Sequence, residues 1–214
     1  MRDVLMTRDR IAELLLPFLQ ESHLSALQLG QIATYANLLM KWDPHVNLTA
    51  VRDPEEVITR HFGESLFAAR HLFLVPAAHE NAIDIGSGAG FPGLPLKIWN
   101  PALNLTLIES NQRKAVFLRE VVRALGLPGV RVFANRAEQL SDQASLVILR
   151  AVERFEQILP VAHRLVAPNG SIALLIGDAQ IRIATSALGD VSWDNAVPLP
   201  LSQSRSLLVG RLAA

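Results

Sequence analysis

Residues Ile83-Asp84-Ile85-Gly86-Ser87-Gly88-Ala89-Gly90 have the types and spacing to hold a small polar ligand. A short apolar stretch carries an acid and then opens into three alternating glycines. Glycine accepts positive φ and lets backbone approach a ligand with no Cβ in the way. Further on, a second apolar run, Leu105-Thr106-Leu107-Ile108, ends in Glu109. An acid at such a strand tip can accept both hydroxyls of a ribose. The pattern predicts a strand, a glycine turn, a helix and a second strand with an acidic tip. Such a unit holds a nucleoside cofactor. A tight turn that binds nothing is the plainer alternative, but one glycine would serve for that.

The spacing bears on which nucleoside. A dinucleotide fingerprint, G-x-G-x-x-G, sets a pyrophosphate over a helix N-terminus. Here the sixth position is Phe91, followed by Pro92. The order D-x-G-x-G-x-G instead resembles the first motif of class I S-adenosylmethionine (SAM) methyltransferases. SAM carries no phosphate, so the loop need not form a phosphate cradle.

Around this unit, apolar residues recur at helical spacing over 8–20 and 24–42, and again over 54–73, where Asp53 and Pro54 read as N-cap and first-turn residue. The stretch from Trp42 to Asp53 contains Pro44 and reads as a loop. Strand candidates are 81–85, 104–109, 130–134, 145–149, 171–176, 190–197 and 205–211. Helices are expected over 92–99, 111–125, 153–166 and 178–187. This alternation implies an α/β fold with a mainly parallel seven-stranded sheet, helices on both faces and an antiparallel last strand. Residues 1–75 are expected to form a helical segment packed on a Rossmann-like domain of residues 76–214.

The totals set bounds. A chain of 214 residues, half of them hydrophobic, is enough for one α/β domain with an appended segment. No apolar run is long enough for a membrane span, and the N-terminus lacks a signal peptide's apolar stretch. There are no cysteines, which excludes disulfides and thiolate metal sites. The expectation is a cytoplasmic monomer that binds no metal and no membrane. Twenty basic residues balance twenty acidic ones, which does not favour a nucleic-acid partner. The distribution is less even: from Ser110 to Arg136 six bases (Arg113, Lys114, Arg119, Arg123, Arg131, Arg136) face one acid, Glu120. That stretch could meet phosphates, or could be a solvated helix face.

Further motifs line up with the glycine loop. They are Trp42 with Asn47-Leu48-Thr49-Ala50, Arg60-His61, Glu64-Ser65-Leu66, the loop's extension Phe91-Pro92-Gly93, Arg113-Lys114 with Phe117-Leu118, Arg136-Ala137-Glu138, and Arg150-Ala151. In this order they resemble the small-subunit ribosomal RNA methyltransferase G family, once called glucose-inhibited division protein B. The resemblance implies SAM-dependent methylation of guanine N7 at one position of 16S rRNA, with the rRNA or the small ribosomal subunit as partner. It implies SAM contacts at Gly86, Phe91, Ala137, Glu138 and Arg150. Gly88 and Gly90 complete the loop, and Glu109 becomes the ribose acceptor. Arg150 is the expected catalytic residue, acting on both sides of the transfer. Asn47, Arg60, His61, Arg113 and Lys114 are the substrate-side candidates.

Structural alternatives stand beside these roles. Phe91 could pack in the core, Glu138 could be a solvated turn acid, and Asn47 and Thr49 could cap a turn. His61 is as readily structural as functional. A structural Arg150 would need a buried acid, for which Glu153 is a neighbour. The sequence departs from the family at Leu149, where serine is common, and at Ile176, where lysine is common.

The chemistry allowed is narrower than methyl transfer at large. Guanine N7 carries a free lone pair and needs no base, only alignment. Attack by C5 of a pyrimidine usually needs a cysteine, which the chain lacks. An exocyclic amine usually calls for an Asn/Asp-Pro-Pro-aromatic motif where this chain reads Leu149-Arg150-Ala151-Val152. The lysine constellation of ribose methylation is missing, since the only lysines are Lys41, Lys97 and Lys114. A small-molecule methyltransferase and a SAM-binding protein without catalysis remain as alternatives.

Overall fold

The computed structural model describes residues 6–74 and 80–213. The expected boundary between residues 75 and 76 lies outside the described residues. Two helices open the chain, α1 (Arg8–Leu19) and α2 (Ala26–Val46). Ser25 and Gln28 cap α2 reciprocally, the side chain of each accepting from the other's backbone N–H. The helix runs four residues further than the sequence suggested. Pro44 falls in its final turn, where it removes only one intrahelical bond, and Asn47 ends the helix in the left-handed conformation.

A second departure concerns residues 54–73. The sequence predicts one helix there. The structure shows α3 (Pro54–Glu56), a π-helical turn and a half (Val57–Gly63), and α4 (Glu64–Leu72) in direct succession. π segments are uncommon and concentrate at functional sites.

The remainder alternates strand and helix: β1 (Asn81–Ile85), α5 (Gly93–Trp99), β2 (Asn104–Ile108), α6 (Gln112–Leu125), β3 (Val130–Phe133) and β4 (Ala144–Arg150), then α7 (Phe155–Leu165), β5 (Val166–Gly177) and α8 (Asp178–Ala187). The expected strand 190–197 is two short ones, β6 (Val191–Trp193) and β7 (Val197–Pro198), both paired with β8 (Arg205–Leu212). The sheet order is β3-β2-β1-β4-β5-β8-β6, with β7 beside β8. Strands β1 to β5 are parallel, and β8 runs antiparallel to β5.

Side-chain alternation divides the sheet between two cores. Leu105, Leu107, Leu146, Ile148, Leu175 and Leu207 face one way, against α1, α2, α4, α5 and α6. Ile83, Ile85, Ile108, Val147, Leu149, Leu174 and Ile176 face the other way, against α7 and α8. The first core is continuous from Ile11 and Phe18 to Phe117 and Leu118, so the N-terminal helices share it with the sheet. In an open α/β sheet, ligands collect where strands on either side of a switch in order leave a crevice at their carboxyl ends. Here that point lies between β1 and β4.

Candidate active site

A cavity of about 610 Å³ opens at that point. Its floor is the loop after β1. Gly86, Gly88 and Gly90 all have positive φ, at 68°, 56° and 95°. They serve different ends. A Cβ on Gly88 would meet nothing closer than the Gly86 carbonyl at 3.8 Å, so that position faces open space in the cavity. A Cβ on Gly90 would lie 2.5 Å from both Leu94 and the Tyr35 hydroxyl. Gly90 therefore admits a neighbouring side chain rather than a ligand, and it is not part of the cavity lining.

Glu109 follows β2 and is largely buried. Its two carboxylate oxygens accept the backbone N–H groups of Gly88 at 2.9 Å and Asn111 at 2.7 Å. These bonds fix the glycine loop against the start of α6 and leave each oxygen a second lone pair for a ligand.

The opposite wall carries charge. Arg150 ends β4, and its side chain is only 9% exposed. Its Nη2 reaches three acceptors: the Arg60 carbonyl at 2.8 Å, Glu64 Oε2 at 3.0 Å and His61 Nδ1 at 3.3 Å. The acid partner is Glu64, fully buried on α4, and not the sequence neighbour Glu153. The other oxygen of Glu64 accepts from Arg205, the first residue of β8. One buried carboxylate thus serves two guanidinium groups. The Arg60 carbonyl and His61 both come from the π segment, which brings them to Arg150.

Arginine can only donate, so His61 Nδ1 accepts and its proton sits on Nε2. That nitrogen lies 2.6 Å from Thr49 Oγ1. Burial lowers the His61 pKa to about 3, helped by the charges of Arg150, Arg60 and Arg205. The imidazole is neutral at physiological pH. Asp84, at the base of the glycine loop, moves the opposite way. Burial raises its carboxyl to about 7 against the opposing pull of the Gly93 N–H, Ser87 and Arg150. Its Oδ2 accepts from Gly93 at 3.1 Å, and its Oδ1 has no hydrogen-bond partner among the described residues.

An aromatic stack joins the site to the N-terminal helices. The Phe91 ring lies between Tyr35 (centroids 5.2 Å apart, planes 6°) and His61 (5.0 Å, 23°), with Phe62 edge-on at 5.0 Å. The Tyr35 hydroxyl donates to the Ala89 carbonyl. Phe91 thus belongs to both the core and the cavity wall.

Of the residues predicted from sequence, Gly86, Gly88, Phe91, Glu109, Arg150, Arg60, His61 and Lys114 line this one cavity. Asn47, Gly90, Arg113, Ala137 and Glu138 do not. Ala137 and Glu138 form a short 3-10 turn after β3, the edge strand next to β2. Asn47 is the exposed cap of α2, and Arg113 is exposed on α6. Glu64, Arg205 and Tyr35 are site residues that nothing in the sequence pattern singles out by role, although Glu64 belongs to the Glu64-Ser65-Leu66 motif. Of the departures, Leu149 faces the core against α7 and α8, whereas Ile176 packs in that core and also lines the cavity.

The family model described as rRNA small subunit methyltransferase G matches residues 28–195. The chain is 40% identical over 203 residues to the Ribosomal RNA small subunit methyltransferase G of Chloroflexus aggregans, covering 87% of this chain and 82% of that protein. The protein of the same description from Roseiflexus castenholzii is 40% identical over 196 residues, covering 85% and 82%. Among solved structures, a ribosomal protein L11 methylase from Lactobacillus delbrueckii superposes with a TM-score of 0.60 at 12% identity, over 72% of this chain and 79% of that one. A SAM-dependent methyltransferase from Aquifex aeolicus gives 0.58 at 15% identity, over 78% and 97%. These two likenesses show the class I methyltransferase fold.

Proposed function

The chain belongs to the rRNA small subunit methyltransferase G family, and from that premise we propose that it methylates N7 of one guanine in 16S rRNA with SAM as donor. The observation that carries this reading is the polarity of this one cavity from end to end. A backbone loop and a carboxylate suited to a nucleoside form one end, and two guanidinium groups suited to a base edge, one buried and one partly exposed, form the other. Its volume is in the range of pockets that enclose ligands of this size.

The residues present fit the cofactor. The Cβ direction of Gly88 is empty, so an adenosyl group can lie against the loop. Glu109 keeps lone pairs for the ribose hydroxyls, and Lys114 and Asn111 stand beside it. The turn at Ala137 and Glu138, one strand further, borders the adenine end. SAM, when bound, supplies an electrophilic methyl on a positively charged sulfur.

The protein's share of the reaction is alignment. The N7 lone pair forms the new N–C bond as the S–C bond breaks, and the sulfur keeps the electron pair. N7 has no proton to lose, so no general base is required. His61 agrees with this: it is neutral, with its one acceptor nitrogen taken by Arg150. Its role is to hold Arg150, together with Glu64 and the Arg60 carbonyl. Arg150 orients the purine and the donor toward one another.

The loop Asn47–Ala50 and the π segment close the mouth above the base. The outer face of α6 (Arg113, Arg119 and Arg123) tracks the RNA backbone, with Lys114 turned inward at the cavity. Among the described residues no helix is long and apolar enough to cross a membrane. We take the protein to act as a cytoplasmic monomer on 16S rRNA or the small subunit.

Mass spectrometry of 16S rRNA from cells with and without the gene tests this. One guanine methyl is expected to vanish on deletion and return on complementation. Identical methylation in both strains would end the reading.

A further inference from the structure

We propose that Arg205 reads the purine, donating to O6 of the acceptor guanine, and so sets the enzyme's choice of guanine over adenine. This rests on the functional reading above and deepens it. The carrying observation is one buried carboxylate, Glu64, shared by Arg150 and by an Arg205 that is partly exposed at the far end of the cavity.

Position comes first. Arg205 opens β8, and Glu109 follows β2. The order β2-β1-β4-β5-β8 puts four strand steps between them, or about 19 Å at ~4.8 Å per step. A nucleoside pinned at Glu109 leaves Arg205 to the half of the cavity beyond the transferred methyl. There the register pairs Arg205 with Gly177, and both line the cavity.

Bonding comes second. A guanidinium has five N–H donors. Arg205 Nη2 donates to Glu64 Oε1, while Nε is buried with no acceptor among the described residues. The rest of the side chain, 31% exposed, opens onto the cavity, where an acceptor on a ligand can reach its N–H groups. Because Glu64 also serves Arg150, the three groups carry one surplus positive charge. The cluster therefore calls for an acceptor from a ligand.

If N7 is to take the methyl, no protein donor can occupy it. Recognition on that edge then falls to position 6. Guanine offers a carbonyl there, which accepts. Adenine offers an amine, which would oppose the guanidinium donors and leave them unpaired.

The experiment uses wild-type protein, Arg205→Ala and Arg205→Lys. Substrates are small subunits lacking the modification, carrying either the mapped target guanine or adenine in its place. For Arg205→Ala we expect kcat/KM on guanine to fall about 100-fold and the guanine-to-adenine ratio to collapse toward unity. SAM affinity by calorimetry should stay within twofold. Arg205→Lys keeps the charge but loses the planar fork, and should lose discrimination with a smaller loss of rate. It serves in place of the alanine variant if that one fails to fold. A parallel loss of SAM affinity would reassign Arg205 to the cofactor and overturn the proposal. So would a lower rate with the base ratio unchanged, or wild-type rates in both variants. Absence of transfer by the wild-type protein, with normal SAM binding, would instead bring down the functional reading and the proposal with it.

Discussion

The two ends of the cavity are built in different ways. The nucleoside end is backbone: a run of five residues, Gly86 to Gly90, tied by the Gly88 N–H to the Glu109 carboxylate, whose other oxygen accepts from Asn111 at the start of α6. The base end is side chain: Glu64, Arg150 and Arg205 come from three separate elements and meet only when the sheet and α4 are assembled. The first end therefore depends on local conformation and the second on the whole fold. Damage to the first should abolish binding while sparing stability. Damage to the second should take stability and turnover together.

Gly88→Val is expected to have the largest effect. Its side chain would fill the open space of the cavity, so SAM affinity by calorimetry should fall by at least 1,000-fold. Positive φ at valine costs only about 1–2 kcal/mol, so the melting temperature should drop by a few degrees. Unchanged SAM affinity would remove the cofactor from this loop. Glu64→Ala should behave in the opposite manner. It leaves two guanidinium groups without their buried acid, a break typically worth ~3–5 kcal/mol. Thermal unfolding should begin roughly 10 °C lower, turnover should fall with it, and SAM affinity should change least. Loss of SAM binding with a normal melting temperature would mean that the two ends are not distinct.

The titratable group at each end sharpens the comparison further. Asp84, with its folded pKa raised to about 7, contributes stability that is complete below its unfolded value near 4 and is lost as pH rises toward 7. His61, with its folded pKa lowered to about 3, contributes stability that is complete above its unfolded value near 6.5 and is lost as pH falls toward 3. The two slopes oppose one another between about pH 4 and 6.5. In unliganded protein, Asp84→Asn should leave stability rising with pH across that window, and His61→Gln should leave it falling. Chemical denaturation at four or five pH values would show the slopes; parallel curves for both variants would refute the assignment. The smallest effect is expected away from both ends. Arg119→Ala with Arg123→Ala should reduce the salt dependence of RNA binding by about 0.7 in log–log slope per arginine, with kcat unchanged.

Legibility from sequence followed the same division. The glycine loop and Glu109 were readable because their geometry is written in consecutive residues and strand ends. Strands β1 to β5 were readable from their apolar runs. The arginine cluster was not readable: Glu64 and Arg205 are 141 residues apart, and no periodicity announces such a meeting. Sequence proximity even pointed to the wrong acid, Glu153, for Arg150. The π segment was hidden because its composition is that of an ordinary helix, and the extra residue per turn is imposed by packing. Pro44 suggested a loop because a proline's position within a helix cannot be known before the helix end is. Alternation along its strand turns Leu149 toward the opposite core, whereas Ile176 packs in that core and also borders the cavity, so only the second departure touches the site.

The bond from the Tyr35 hydroxyl to the Ala89 carbonyl limits how this protein can be re-engineered. The opening helices supply a phenol that satisfies the elbow of the glycine turn and a flat ring that backs Phe91. A chimera joining residues 80–213 to a foreign RNA-targeting head must bring its own hydroxyl to that carbonyl and its own ring to that stack. Otherwise it inherits a nucleoside pocket with a slack hinge.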